Sequence, residues 1–325
     1  MALASVDQNP LSEDDLKHYQ QRGYLHLEGF VDEEILGGLQ RAAAEFVELS
    51  RDLESSNRVL DLEPSHTAES PRIRRLNSPV DNHDTFRAFA LQGLGAALAW
   101  AVLGGPVRYH HSKLNFKWSG GGEEIKWHQD IQFWPHTDFT PLTIGVYLAD
   151  VDDLMGPMGV LPGSHQGPLY NQYLDSGEWG GDMNPQDVAE IDLSKMEWLT
   201  GPAGSVTVHN CCMIHGSVPN NSSNPRPLLL QTYSAVNSYP IAHIGANGVT
   251  GHLSGTVIGG TSDQRITVDG RQILGAPDWS RAGAPTIFGS QQEAEGSTDV
   301  AAGVFRGFRA SRNSRNPSLR GARSG

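Results

Sequence analysis

The sequence predicts a mainly β protein in which α-helices flank a barrel of strands. β-branched and aromatic residues dominate four separate segments in the middle of the chain, at 107–118, 142–149, 205–208 and 228–233. Helical patterns precede the first of these strands. The chain has 325 residues, and β-rich barrels of more than 200 residues commonly fold as one domain.

The first two helices are predicted from their caps and their apolar spacing. Ser12 followed by Asp15 is typical of a helix N-terminus, and this helix continues to about residue 21 before Gly23 ends it. Asp32 caps a second helix, in which apolar residues recur along one side between positions 35 and 47. We expect both helices to support a sheet.

Polar segments separate the strands. Residues 51–82 show no clear periodicity and are interpreted as a loop that shapes a pocket. A glycine-rich turn at 119–122 is expected to be mobile. The insertion at 171–200 has the length of a lid or binding loop, and 243–290 is also interpreted as loops.

These patterns predict a single domain over residues 1–300, followed by a basic flexible tail at 301–325. Within the domain we expect N-terminal helices at 12–50, a β core at about 105–240 and a C-terminal extension at 241–300. A hydrophobic content of 38% and seven tryptophans are sufficient for a substantial core.

The charge distribution bears on the partners of the protein. The net charge is −13, and the tail contains six arginines and no acids, so the first 300 residues hold 18 bases and 37 acids. An acidic body argues against nucleic acid as the main partner. Charge patterns do not indicate an oligomeric state.

Cysteine usage and apolar runs predict a cytoplasmic protein without a membrane partner. Cys211 and Cys212 are adjacent, and we expect them on opposite faces of a strand, where they make a poor structural disulfide. No signal peptide pattern is present at the N-terminus. The run at 88–103 is too short and too rich in alanine to span a bilayer, so a buried helix is expected.

The chemistry is indicated by His128 and Asp130. In an extended strand these alternate side chains share a face, so both can contact one ion while Gln129 points away. Two imidazoles and one carboxylate hold non-heme Fe(II) on one face and leave positions open for substrate and oxygen. A later strand would bring the third ligand, His215, over the pair.

Other histidines compete for these roles. His136 and Asp138 repeat the same spacing, but prolines at 135 and 141 favour a loop there. His209 is an alternative to His215 as the distal ligand.

Four ordered pieces carry a family resemblance: His128-x-Asp130, Leu161-Pro162-Gly163-Ser164-His165, His215-Gly216-Ser217, and Arg226. In this order they resemble the phytanoyl-CoA dioxygenase family of Fe(II)/2-oxoglutarate oxygenases. The opening segment 11–25 and the phrase Pro277–Ser280 extend the likeness over about residues 11 to 290. The resemblance implies a double-stranded β-helix core, which is a jelly-roll of the cupin type.

The resemblance also implies a role for each site residue. His128, Asp130 and His215 would hold Fe(II), and Ser217 and Arg226 stand at the family's offsets from His215. A guanidinium can hold the distal carboxylate of the co-substrate 2-oxoglutarate with two parallel hydrogen bonds.

Further contacts to 2-oxoglutarate are less clearly assigned. Lys117 is interpreted as a contributor to the carboxylate site, with Lys113 nearly as well placed. Trp134 resembles an aromatic residue that flanks the co-substrate. The chain departs from the family at 155–158 and at Gly145, where many relatives carry a large aromatic; the missing ring is expected to widen the pocket.

These residues together predict an oxygenase that uses Fe(II), 2-oxoglutarate and O2 to oxidise a small organic molecule, with release of succinate and CO2. Secondary-metabolite biosynthesis is the setting that the family resemblance favours. Hydroxylation is the default outcome; desaturation, cyclisation and endoperoxide formation stay open. Asp130 argues against halogenation, and the lack of a basic cluster argues against CoA thioesters. A non-catalytic cupin-like metal-binding or sensor protein is the main alternative, and a zinc hydrolase is a weaker one.

Overall fold

The structure is a computed structural model, which describes residues 9–119, 124–241, 250–260 and 265–275. The described elements up to Ile273 belong to one compact unit, and a second unit begins at Leu274. The predicted domain limits therefore stay predictions. Residues 120–122 of the glycine-rich turn, the phrase Pro277–Ser280 and the tail at 301–325 lie outside the described residues.

The described residues contain helices and strands with the following bounds. The helices are α1 Glu13–Arg22, α2 Glu33–Leu49, α3 Pro79–Asn82, α4 Asp84–Gln92, α5 Leu94–Leu103 and α6 Pro185–Ala189. The strands are β1 Tyr24–Leu27, β2 Leu60–Leu62, β3 Ile73–Asn77, β4 Val107–Asn115, β5 Ile125–His128, β6 Leu142–Tyr147, β7 Met158–Val160, β8 Glu197–Leu199, β9 Val206–Asn210, β10 His215–Ser217, β11 Leu228–Ala235, β12 Val257–Ile258, β13 Arg265–Val268 and β14 Arg271–Leu274.

Two antiparallel sheets form the core of this fold. The larger has the strand order β1-β9-β6-β11-β4-β3-β2, with β12 also paired to β4, and the smaller has the order β5-β10-β7-β8. Strands β13 and β14 form a separate pair. The predicted strands at 107–118, 142–149, 205–208 and 228–233 correspond to β4, β6, β9 and β11, so the mainly β prediction is confirmed.

The N-terminal helices begin and end where their caps predict. Ser12 and Asp15 form a complete capping box at the start of α1, and Asp32 accepts a hydrogen bond from the third residue of α2. Gly23 ends α1 in the left-handed conformation with φ of 83°. A Cβ at this position would lie 2.4 Å from His165 Nδ1, so both backbone and packing require glycine.

The helices pack against the outer face of the larger sheet. Because side chains alternate along a strand, Val206 and Val208 of β9 join the helical core, whereas Thr207 and His209 face the space between the sheets. The same alternation continues across the neighbouring strands. The large sheet thus has one apolar face and one face available for chemistry.

The apolar run near residue 90 forms part of this core. The segment Asp84–Leu103 is long and apolar enough, by length and composition alone, to cross a membrane. Gly93 divides it into α4 and α5, whose residues Phe86 and Leu98 are fully buried in the core. This agrees with the prediction of a buried helix.

Three local expectations are corrected. Segment 51–82 contains β2 and β3, which extend the large sheet beyond β4, so it is more than a loop. Its short strands alternate too briefly for a clear sequence pattern. Cys211 and Cys212 lie in the turn after β9 with their sulfur atoms 3.8 Å apart, and not on opposite faces of a strand. The insertion at 171–200 includes α6 and β8.

Candidate active site

The three residues predicted as metal ligands converge in the structure. His128 at the end of β5 pairs directly with His215 at the start of β10, and their ring centroids are 4.1 Å apart. The Asp130 carboxylate lies 3.8 Å from His128 Nε2 and 3.9 Å from His215 Nε2. One ligand atom from each residue falls within 4.8 Å of the others, which is close enough for a shared ion.

Asp130 reaches this position by a route that differs in part from the predicted strand. Strand β5 ends at His128, Gln129 stays extended with φ of −124°, and Asp130 begins a 3-10 turn at Asp130–Gln132. The one extended residue between the ligands is sufficient to direct both side chains to the same face. The alternation argument is therefore correct although the strand is shorter than expected.

Backbone hydrogen bonds orient the two imidazoles. His128 Nδ1 lies 2.8 Å from the Lys126 carbonyl, and His215 Nδ1 lies 3.0 Å from the Met213 carbonyl. An Nδ1 that donates its proton to a carbonyl leaves Nε2 with a free lone pair. Both Nε2 atoms are thus prepared as ligands and face Asp130.

Burial sets the protonation states of the triad. It lowers the pKa of His215 well below its ordinary value and lowers that of His128, since desolvation penalises the imidazolium. Burial alone would raise the pKa of Asp130, but the interaction with His215, a hydrogen bond from His209 and the Lys113 ammonium outweigh it and hold that pKa well below the usual range. Two neutral imidazoles and a carboxylate are the protonation states that a metal requires.

The competing histidines take other positions. His136 lies in a loop, where its Nδ1 is 2.7 Å from the Trp134 carbonyl, as its flanking prolines predict. His209 Nε2 lies 3.5 Å from Asp130 Oδ2, and the ring centroid of His209 is 4.4 Å from that of His215. His209 is thus a neighbour of the triad.

Arg226, Ser217 and Lys117 form a second cluster. The Lys117 ammonium donates to Ser217 Oγ at 2.6 Å and also to the Val218 carbonyl. Arg226 is only 3% exposed, and the Nε and Nη1 atoms of its guanidinium have no hydrogen-bond partner within the described residues. No carboxylate of the described chain neutralises this buried cation, which costs free energy unless a ligand does so.

The backbone of Lys117 is constrained at this cluster. Its φ is 35°, in the left-handed region that non-glycine residues rarely adopt. Its carbonyl accepts hydrogen bonds from Asn220 Nδ2 at 2.8 Å and from the Arg226 backbone N–H at 3.1 Å. These contacts fix the lysine beside Arg226. Burial, with a smaller contribution from the Arg226 charge, lowers the pKa of Lys117 to about 7.

The alternative lysine and the predicted aromatic residue lie elsewhere. Burial lowers the pKa of Lys113, and the Asp130 charge opposes that shift, so the Lys113 ammonium interacts electrostatically with Asp130. Trp134 packs its indole against His110 and His111, at centroid distances of 5.6 and 5.8 Å. Within the described residues, Trp134 shares no hydrogen bond or ring contact with the Lys117 cluster.

Interior side chains of the large sheet form three cross-strand rows between these two ends. At the metal end, the row is His209, Thr143, Thr232 and His111, and Thr143 Oγ1 lies 3.4 Å from Asp130 Oδ2. The middle row is Thr207, Gly145, Leu230 and Lys113. The far row contains Tyr147 and Leu228, and Tyr147 interacts with the Arg226 guanidinium.

The space beside Gly145 does not match the expected wider pocket. A Cβ on Gly145 would lie 2.5 Å from Thr207 Oγ1 and 3.1 Å from Leu228 Cδ1. Neighbouring side chains therefore occupy the room that a ring would take, so that expectation was wrong.

Sequence reasoning also missed Tyr147, although it had a signal. Tyr147 lies two residues beyond Gly145 on β6, and period two places it on the interior face. The role of Gln129 had no comparable signal. This fully buried side chain contacts two segments that are distant in sequence, Pro168–Tyr170 and Cys212.

The donor set fits a divalent iron and a dicarboxylate. Two nitrogen ligands and one carboxylate on one side match the facial arrangement of non-heme Fe(II) oxygenases. At the other end of the interior, the buried Nε and Nη1 donors of Arg226 lack a partner among the described residues, and an anionic ligand would satisfy them. The chemistry of both ends is thus complementary to iron and 2-oxoglutarate.

Comparisons with known proteins agree with this site. The sequence model of the phytanoyl-CoA dioxygenase (PhyH) family matches residues 19–228. A probable alpha-ketoglutarate-dependent hypophosphite dioxygenase of Stutzerimonas stutzeri is 31% identical over 234 residues, which cover 71% of this chain and 82% of that protein. The ectoine dioxygenase of Bordetella parapertussis is 30% identical over 246 residues, covering 70% and 76% of the two chains.

A solved structure supports the fold. The crystal structure of EctD from S. alaskensis with 2-oxoglutarate and 5-hydroxyectoine superposes with a TM-score of 0.62 at 24% identity, over 79% of this chain and 87% of that one. The fold is thus a double-stranded β-helix, as predicted.

Together, fold, site chemistry and relatives define an oxidoreductase, an Fe(II)- and 2-oxoglutarate-dependent dioxygenase. The chain belongs to the phytanoyl-CoA dioxygenase family. A metal-binding protein without turnover, the main alternative from sequence, is therefore set aside.

Proposed function

We propose that His128, Asp130 and His215 bind the catalytic Fe(II). The two histidines would ligate through Nε2, because their Nδ1 atoms are engaged with the Lys126 and Met213 carbonyls. Asp130 would ligate through one oxygen and accept a hydrogen bond on the other, where His209 Nε2 lies 3.5 Å away. This second contact would fix the rotation of the carboxylate.

We infer that Arg226, Ser217 and Lys117 bind the distal carboxylate of 2-oxoglutarate. The unpartnered guanidinium donors support this role for Arg226. The 2.6 Å bond between Lys117 and Ser217 supports a joint role for these two side chains. The middle row of the large sheet lies between this cluster and the metal end, and its Thr207 hydroxyl is also without a partner in the described residues.

We further propose Trp134 as a wall of the site at the metal end. The support is its ring contact with His111, which lies in the same cross-strand row as Thr143. Thr143 in turn contacts Asp130. An indole in this place would keep water from the reacting centre without a direct contact to 2-oxoglutarate.

Bound iron with 2-oxoglutarate activates O2, so that one oxygen atom enters the substrate and the other enters succinate, with release of CO2. The protein residues hold the co-substrate at two ends, orient the metal ligands and exclude water. We propose hydroxylation of a C–H bond of a small organic molecule as the reaction, with a place in secondary metabolism. Hypophosphite and ectoine are the substrates named for two relatives.

The cellular setting follows the sequence expectations. We propose a cytoplasmic enzyme that acts on a small molecule, without a nucleic-acid or membrane partner. The net charge of −13 and the free thiols of the buried Cys211 and Cys212 support this proposal.

The reaction can be tested even though the substrate is unidentified. Wild-type protein is incubated with Fe(II), ascorbate, 2-oxoglutarate and a metabolite library, and mass spectrometry follows products heavier by one oxygen atom together with succinate. The proposal predicts both signals in wild type and neither in Asp130→Ala. Equal succinate release by the variant would defeat the assignment of the triad.

A further inference from the structure

Three aromatic rings form a continuous, half-exposed surface that begins at a metal ligand. Phe133 meets the His128 ring edge-to-face at 5.7 Å, Trp179 meets Phe133 at 5.1 Å, and Tyr173 meets Trp179 at 5.0 Å. Their exposed fractions are 41% for Phe133, 41% for Trp179 and 50% for Tyr173. We call Phe133, Tyr173 and Trp179 the aromatic surface.

Two of the three rings lie on a small hairpin in the 171–200 insertion. Tyr173 and Trp179 form an antiparallel bridge, and the Leu174 N–H donates to the Glu178 carbonyl at 2.8 Å. Gly181 has φ of 77°, and a Cβ there would lie 3.4 Å from the nearest atoms of both Phe133 and Trp179. The backbone at Gly181 therefore passes close beneath both rings and helps to set their spacing.

Gln129 fastens this hairpin to the metal-binding segment. Its side chain donates to the Pro168 carbonyl at 3.1 Å and accepts from the Tyr170 N–H at 2.9 Å. The Gln129 carbonyl accepts from the buried amide of Gln172 at 2.9 Å. Since Gln129 lies between His128 and Asp130 in the chain, the aromatic surface is held in a fixed relation to the metal end.

The surroundings of the aromatic surface are acidic. Residues 127–194 contain no lysine or arginine, and the hairpin carries Asp175 and Glu178. Asp182 at its base is paired with Lys126 at 3.2 Å, so the two acids of the hairpin set the local charge. An anionic group would be repelled here, whereas neutral or cationic groups would not. Aromatic faces bind apolar rings by stacking and bind cations through their quadrupole.

We propose that the aromatic surface binds the body of the substrate, and that this body is an apolar, ring-containing group that is neutral or positively charged. The inference rests on the proposed function, because it takes the iron at His128 as the place of oxidation. The aromatic surface is continuous from His128 outward, so its occupant is a small-molecule substrate. One end of this substrate would lie at the metal, and the three rings would contact the rest of it. Phe133 and Trp179 are then specificity-determining residues.

The test uses two planar tricyclic fluorescent probes of opposite charge, proflavine as the cation and anthracene-9-carboxylate as the anion. Each is titrated by fluorescence anisotropy into full-length protein loaded with Mn(II) and 2-oxoglutarate, which bind without turnover. Proflavine should bind more tightly than the anion. Its affinity should fall on the order of tenfold in Phe133→Ala and in Trp179→Ala and stay near wild type in Trp179→Phe, because a ring is retained. Phe139→Ala, at an exposed phenylalanine outside the surface, is the matched control.

Two further readouts separate this inference from the proposed function. Mn(II) should broaden the proton resonances of bound proflavine, whereas Zn(II) should not, because the surface begins at His128. The visible absorption band of the anaerobic Fe(II)–2-oxoglutarate complex should persist in Trp179→Ala. The proposal that the aromatic surface binds the substrate would be overturned by any of three results. These are unchanged proflavine binding in Trp179→Ala, equal binding of the anion, and no broadening by Mn(II). A missing band in wild type would instead overturn the metal and co-substrate assignment.

Discussion

Raising the pH from 6.5 to 8.5 should weaken the binding of 2-oxoglutarate through one residue, Lys117. Its pKa in the ligand-free protein is about 7, so its side chain is mostly ammonium at pH 6.5 and mostly amine at pH 8.5. A carboxylate bound beside it would favour the ammonium and raise this pKa. Binding above pH 7 must therefore take up a proton, and the affinity falls as protons become scarce.

The size of this loss of affinity follows from the Lys117 pKa. With a pKa of about 7, only a few per cent of Lys117 is charged at pH 8.5. If only the ammonium form contributes its hydrogen bond, the affinity for 2-oxoglutarate falls roughly tenfold to thirtyfold between pH 6.5 and 8.5. This is comparable to the free energy of one charge-assisted hydrogen bond, about 1.5–3 kcal/mol. The His128 and His215 pKa values are lowered by burial, so these ligands are already neutral at pH 6.5 and above and do not oppose the trend.

The assay is anaerobic calorimetry with 2-oxoglutarate and Mn(II)-loaded protein at four pH values. Lys117→Met should bind about tenfold more weakly than wild type at pH 6.5 and should show little pH dependence. Lys195→Met, which alters an exposed lysine, should behave as wild type. A parallel fall of affinity in wild type and Lys117→Met would refute the reasoning, because the proton would then belong to another group.

Three other variants probe the surrounding structure. Gly145→Ala should lower the free energy of unfolding by about 1–3 kcal/mol, because its Cβ would lie 2.5 Å from Thr207 Oγ1; denaturant titration measures this, and no loss would contradict the packing. Gln129→Leu should weaken iron binding by about tenfold to a hundredfold, since it removes three side-chain hydrogen bonds that hold the ligand segment; a metal titration with unchanged affinity would exclude that role. His110→Leu should move acid unfolding to lower pH. Burial lowers the His110 pKa to about 3, so the unfolded chain binds its proton near pH 6.5 and the native state loses stability as pH falls between these values; an unchanged midpoint in circular dichroism would count against it.

Local sequence patterns predicted those elements of the fold that depend on only a few neighbouring residues. The capping box at Ser12, the cap at Asp32 and the β-branched and aromatic composition of β4, β6, β9 and β11 are local signals, and the structure contains all of these elements. The short strands β2 and β3 were missed because three to five residues give too little alternation to detect. Their place in the sheet is fixed by pairing with β4, which is a long-range contact.

The candidate site also contains residues that local spacing predicts and residues that it does not. His128 and Asp130 could be paired from spacing alone, whereas His215 joined them only through the family resemblance, since His209 fits the barrel argument equally well. The structure places both histidines beside Asp130. Gln129 illustrates what spacing cannot provide, because its partners at Pro168, Tyr170 and Cys212 become neighbours only after folding.

The central claim is that the triad and the Arg226 cluster hold iron and 2-oxoglutarate in one site. Anaerobic absorption spectroscopy tests it most directly, since the Fe(II)–2-oxoglutarate complex has a weak visible charge-transfer band. We expect the band in wild type, no band in His215→Ala, and in Arg226→Leu a band that needs at least about tenfold more 2-oxoglutarate. A band of wild-type strength in His215→Ala, or wild-type 2-oxoglutarate affinity in Arg226→Leu, would contradict the account.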